Sequence, residues 1–170
     1  MLTLVLGGAG SGKSACAEAL LMRAAARTRV YLATMEPYGA EAAARVAKHR
    51  KMREDKGFVT VERFTDLEHL ELPGDCAVLL EDLGNLCANE LFSPNGGGED
   101  ALRCGLMRLM RESREVIVVS NEVFLGGADY AEETLRYLSV LARTHRWLAE
   151  AADAVCEVCC GIPIYYKGEA

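Results

Sequence analysis

The sequence contains no apolar run near the roughly 20 residues needed to cross a bilayer. It also has no basic excess: 19 Lys and Arg against 25 Asp and Glu leave a formal net charge of −6. The first absence argues against a membrane span. The second argues against a nucleic-acid binder, whose electrostatic footprint is a basic face. No basic segment precedes the opening Leu2-Thr3-Leu4-Val5-Leu6, which meets Gly7-Gly8 at once. A buried strand is therefore expected there rather than a signal peptide, and a cytoplasmic location with it. No internal repeat is present, and the triple glycine at 96–98 is the one low-complexity piece, expected as a mobile loop. The seven cysteines are odd in number and scattered through apolar segments, which fits a reduced cytosolic chain better than a disulfide framework. Cys156-Glu157-Val158-Cys159-Cys160 includes a CxxC, but no second pair follows at metal spacing, so buried small hydrophobes are expected.

What remains is globular: 51 % hydrophobic and 26 % charged residues. At about 150 residues per domain, 170 residues make one domain spanning 1–170. Strand and helix signals alternate. Apolar runs at 2–6, 30–33, 76–80, 116–119, 154–160 and 162–166 predict strands. Helices are predicted over 13–27, 40–55, 84–92, 99–113 and about 130–151. The strands read as continuous apolar runs, as in a sheet covered on both faces. The expected fold is therefore α/β, a mostly parallel sheet flanked by helices.

Gly7-Gly8-Ala9-Gly10-Ser11-Gly12-Lys13-Ser14 matches G-x-x-x-x-G-K-[ST] between a predicted strand and a predicted helix, the context that identifies a P-loop. Its backbone N–H groups and the helix N-terminus would cradle phosphate. Lys13 would reach the β- and γ-phosphates, and the Ser14 hydroxyl would help hold Mg²⁺. Glu81 and Asp82, ending the strand 76–80, are the candidate metal carboxylates; an acidic pair facing water is the alternative. Ser120-Asn121-Glu122 ends the next strand at the same edge of the sheet, where ligands gather in such folds.

Five basic residues and His49 occupy the nine positions Arg45 to Arg53. On a helix, residues four apart lie about 40° apart, so Glu41, Arg45, His49 and Arg53 share one stripe. Arginine forks suit phosphate, and a neutral imidazole can attack phosphorus. Spacing alone nevertheless fits a solvated basic face with an incidental histidine better. His69, in a surface turn, and His145, in a helix beside Arg143, Arg146 and Trp147, read as structural or solvated.

Several segments, in order and spacing, resemble one family: LVLGGAGSGKS, YLAT, RVAKHRKMR, Thr60-Val61-Glu62, LLEDL, VSNEV and AADAVCEVCCGIPIYYKG. It is the bifunctional adenosylcobinamide kinase / adenosylcobinamide-phosphate guanylyltransferase family of cobalamin biosynthesis. The resemblance implies a RecA-like P-loop core, a homotrimer, the nucleotides GTP and ATP with Mg²⁺, and a corrinoid substrate. It implies phosphorylation of adenosylcobinamide and then transfer of GMP from GTP onto that phosphate. By motif position, His49 would be the guanylylated nucleophile, with Lys13 as the other catalytic residue. Nucleotide contacts would come from Gly7 to Ser14, Thr34, Met35, Glu36, Arg50, Lys51, Met52, Arg53, Glu62 and Glu81, and metal contacts from Ser14, Glu81 and Asp82.

The chain departs from the family pattern in places. Gly10 stands where Arg is usual, and Phe124 replaces the first Gly after N-E-V. No Pro follows Gly126-Gly127. Leu138-Ser139, Ala142 and His145-Arg146 replace an R-D pair, a Gly and an Asn-Gln. These departures bear on the acceptor site or a subunit contact, and leave open a changed corrinoid specificity or the loss of one of the two activities. Two other readings stay open on the residues: a P-loop kinase or NTPase with no covalent step, and a nucleotide-binding module without turnover.

Overall fold

The computed structural model describes residues 1–37, 56–126 and 129–169. The helix expected over 40–55, with His49, Arg50, Lys51, Met52 and Arg53, lies outside them.

Seven described strands form one sheet: β1 (Leu2–Gly7), β2 (Thr28–Ala33), β3 (Val59–Glu62), β4 (Cys76–Glu81), β5 (Glu115–Asn121), β6 (Ala154–Cys159) and β7 (Ile162–Lys167). Their order is β3-β2-β4-β5-β1-β6-β7. The first six run parallel, and β7 pairs antiparallel with β6 as a hairpin. Four described helices accompany them: α1 (Lys13–Arg23), α2 (Leu83–Phe92), α3 (Gly98–Glu112) and α4 (Glu132–Ala151).

Alternation of side chains across the strands produces two cores. Val5, Tyr31, Leu79, Ile117 and Val119 pack under α1 with Ala17, Leu20 and Leu21. Leu4, Leu32, Val78, Leu80 and Val118 pack on the opposite face with residues of α2, α3 and α4. In α3, Leu102, Gly105, Leu106 and Leu109 are the buried positions, the i, i+3, i+4, i+7 spacing of one helix face. Both faces being covered explains the unbroken apolar runs.

The structure changes several element boundaries. The first helix stops at Arg23 rather than 27, because Ala24 turns to extended backbone (φ −58°, ψ 132°). The chain must be extended by Thr28, whose N–H donates to Asp75 O where β2 joins β4. Strand β3 is additional to the strands expected from the sequence. It is four residues long, lies at the sheet edge and is mostly exposed, so it has no apolar run to reveal it. The glycines at 96–98 are held rather than loose: Gly97 N–H donates to Glu90 Oε2 at 2.8 Å, and Gly98 already begins α3. Cys156 is buried as expected, whereas Cys159 and Cys160 are exposed, because they form the rim of the β6–β7 turn.

Candidate active site

Parallel strands put all their carboxyl ends on one edge, so the segments that leave β1, β2, β4 and β5 meet there. The P-loop follows β1. Gly10 and Gly12 adopt φ of 72° and 94°, the left-handed region that glycine enters without strain. The β6–β7 turn supports the loop from behind: Gly161 N–H donates to Ser11 O at 2.8 Å. A side chain at Gly12 would stand 3.1 Å from Gly161 Cα, so the two backbones are in direct contact.

Lys13 is buried, and its ammonium donates to Gly8 O at 3.1 Å, curling back over its own loop. Ser14 Oγ donates to Glu81 Oε1 at 2.7 Å, joining α1 to the end of β4. Glu81 Oε2 and Ser11 Oγ are buried with no hydrogen-bond partner among the described residues. Burial raises the Glu81 carboxyl to about 7, Asp82 adds to the rise, and the bond from Ser14 and the charge of Lys13 oppose it. A buried carboxylate with one free oxygen beside a hydroxyl is a donor set suited to a hard divalent cation such as Mg²⁺.

Asp82 is engaged elsewhere. Its Oδ1 accepts from Asn85 N–H at 2.7 Å as the N-cap of α2, and its Oδ2 accepts from Asn121 Nδ2 at 3.0 Å. Burial raises its pKa, while those donors and Lys13 lower it.

Thr34 is buried, with each polar group tied down. Its N–H donates to Glu81 O, its hydroxyl donates to Asp82 O at 2.7 Å, and its carbonyl accepts from Asn89 Nδ2 at 2.8 Å. Met35 is half-buried, and Glu36 accepts from Ser93 Oγ at 3.4 Å. Glu36 and Glu62 both line a polar cleft of about 480 Å³, with Arg63 to Asp66 and Ser93 to Asn95. Thus Gly7 to Ser14, Glu81 and Asp82 gather at one place, Glu36 and Glu62 at a second, and Thr34 joins the two. The 38–55 segment connects β2, whose exit borders this cleft, to β3. Just before β3, Lys56 pairs with Glu18 of α1 and Phe58 stacks on Tyr31, so the chain re-enters on the α1 face.

His69 is exposed, with Nδ1 2.6 Å from Asp66 Oδ1. His145 lies 2.8 Å from Ser120 Oγ. Neither joins the P-loop. Sequence reasoning missed Asn89 and Glu90, whose only signal was a polar pair near the end of an apolar helix.

The family described as cobinamide kinase / cobinamide phosphate guanyltransferase matches residues 3–166. The chain belongs to this family. It is 32 % identical over 184 residues to the bifunctional adenosylcobalamin biosynthesis protein CobU of Escherichia coli K12, covering 98 % of this chain and all of that protein. It is 30 % identical over 172 residues to the corresponding CobP protein of Pseudomonas aeruginosa, covering 99 % of each. Among solved structures, the flagellar accessory protein FlaH of Methanocaldococcus jannaschii has a TM-score of 0.52 at 14 % identity, over 99 % of this chain and 78 % of that one. A Pyrococcus horikoshii protein has a TM-score of 0.54 at 12 % identity, over 99 % and 87 %. These two likenesses show the α/β fold alone, whereas the family match extends to the enzyme class. No described helix is long and apolar enough to cross a membrane.

Proposed function

We propose that this chain, as one domain over 1–170, phosphorylates the hydroxyl of adenosylcobinamide with ATP or GTP. It then transfers GMP from GTP onto the new phosphate. The observation that carries the reading is the P-loop in contact with the end of β4: Ser14 on Glu81, with Lys13 buried alongside. The homotrimer and the cytoplasmic location belong to the same reading.

In the kinase step, Gly7 to Ser14 hold the triphosphate through backbone N–H groups, and Lys13 releases Gly8 O to lie against the β- and γ-oxygens. Ser14 and Glu81 would hold Mg²⁺, which would supply charge neutralisation to the phosphates. Asp82 shapes the site through α2 and Asn121 rather than as a ligand. The alcohol oxygen attacks the γ-phosphorus as the bond to the β-phosphate oxygen breaks, and the hydroxyl proton passes to solvent.

In the transfer step, an imidazole nitrogen of His49 attacks the α-phosphorus of GTP, and the bond to pyrophosphate breaks. A phosphate oxygen of the acceptor then attacks the same phosphorus, the P–N bond breaks, and His49 is regenerated. Arg50, Lys51, Met52 and Arg53 contact this nucleotide, together with Thr34 to Glu36 and Glu62. Support comes from the family's motif positions and from the cleft that Glu36 and Glu62 share.

The test is incubation with α-labelled GTP, with and without adenosylcobinamide phosphate. Acid-labile, alkali-stable label on His49 that the acceptor discharges is the expected result. Normal adduct in His49→Ala would refute the nucleophile. Phosphoryl transfer without any adduct would favour a kinase lacking the covalent step, and GTP binding without product a module that has lost turnover.

A further inference from the structure

The last turn of α2 carries polar side chains that the kinase and transfer steps leave without a role. Asn89 uses both amide hydrogens, one to Thr34 O at 2.8 Å and one to Phe64 O at 3.1 Å. Those carbonyls belong to different segments, the first leaving β2 and the second leaving β3. Glu90 is 2 % exposed, and its two oxygens accept Asp66 N–H at 2.7 Å and Gly97 N–H at 2.8 Å. Ser93, one turn after Asn89, donates to Glu36.

Asn89 and Glu90 in the last turn, with Ser93 just beyond it, hold segments that border the 480 Å³ cleft. Among the described residues β3 is a short edge strand paired with β2, and just beyond it Arg63 N–H donates to Ala33 O; Asn89 carries that tie one residue further on each side, to Thr34 and Phe64.

We propose that Asn89 is a positioning residue for the guanylyl-transfer half of the reaction, clamping the exits of β2 and β3 at the spacing that the guanine nucleotide requires. Glu90 anchors the second exit against the start of α3. The inference rests on the reading that Thr34–Glu36 and Glu62 contact that nucleotide. Asn89 touches backbone only and takes no part in bond making. Its loss therefore weakens nucleotide capture more than it slows the bound complex.

Asn89→Asp preserves shape but supplies no donor and turns a carboxylate toward two carbonyl oxygens. Asn89→Ala removes the clamp without that repulsion, and serves if the first variant shows no cooperative unfolding. In adduct formation from α-labelled GTP, each should raise the KM for GTP by about tenfold, the equivalent of ~1.4 kcal/mol, while kcat changes by less than about threefold. The KM for ATP in the kinase step should stay within about twofold, because the P-loop is not held by Asn89. A KM for GTP within about twofold of the unaltered enzyme, or equal losses in both steps, would overturn the role. If the unaltered enzyme forms no adduct, the proposed function fails on its own. Calorimetric binding of guanosine 5′-monophosphate then decides for Asn89, with equal affinity in enzyme and variants counting against it.

Discussion

Phe124 meets His145 edge to face, with ring centroids 5.6 Å apart and planes at 82°. By the sequence resemblance to the family, a glycine would be expected at the first position and an asparagine at the second. Their contact makes the two departures a single local change. His145 also reaches Ser120 Oγ, and the next residue of β5, Asn121, donates to Asp82. The altered unit therefore adjoins the end of the sheet that carries the site.

Burial lowers the His145 pKa below 6.5, and the charge of Glu122 partly opposes it. The folded protein thus keeps this ring neutral where the unfolded chain takes up a proton. Stability from this group is full above pH 6.5 and is lost as pH falls through that value toward the lower folded one. His145→Asn should show a smaller drop in urea midpoint between pH 7.5 and 5.5 than the unaltered chain. An equal drop would place the acid sensitivity elsewhere.

For Glu81 the sign is opposite to that of an ordinary ion-paired carboxylate. Its folded pKa of about 7 lies above the usual 4.5, so the folded state holds the proton longer. Without a cation, stability from this group is present below pH 4.5 and lost as pH rises through 7. Glu81→Gln should therefore be more stable than the unaltered chain at pH 8 in the presence of a chelator. It should also lose most of the Mg²⁺-dependent rise in thermal midpoint with bound nucleotide. Retention of that rise would remove Glu81 from the metal site.

Gly12→Ala places a Cβ 3.1 Å from Gly161 Cα at a backbone φ of 94°. A cost of roughly 1–2 kcal/mol is expected from the left-handed conformation alone, together with loss of triphosphate binding. Gly8→Ala has open space around it and should leave the thermal midpoint nearly unchanged. Thermal unfolding of the two variants side by side checks the contrast.

Gly105→Ala sets two effects against each other. Alanine gains about 0.5–1 kcal/mol of helix preference, but its Cβ would lie 2.7 Å from Leu67 Cβ. Overpacking of that kind costs about 1–3 kcal/mol, so net destabilisation is expected in chemical denaturation. A more stable variant would mean that the Leu67–His69 turn yields to α3.

The P-loop was legible because one eight-residue pattern carries its own geometry, and the buried strands because both faces of the sheet are covered. Glu81 was legible as a strand end, but the bond from Ser14 that makes it the proposed metal carboxylate was not. Ser14 is 67 positions away, and the capping of α2 by Asp82 is likewise a tertiary arrangement. The end of α1 was hidden since Ala24 to Ala26 favour helix by propensity, and pairing of β2 with β4 overrides it. Edge strand β3 and the Asn89–Glu90 pair had no periodicity to betray them; their partners are backbone atoms that only tertiary structure brings near.

The dependence of the phosphate cradle on Gly161 has a thermodynamic corollary. A loop near the amino end is braced by a turn near the carboxyl end, so a fragment lacking either end should not retain the nucleotide pocket. Occupancy and global folding then share one equilibrium, and a nucleotide at a hundred times its dissociation constant would stabilise the chain against global unfolding by about 2.7 kcal/mol, slowing proteolysis at every site whose cleavage requires the whole fold to open.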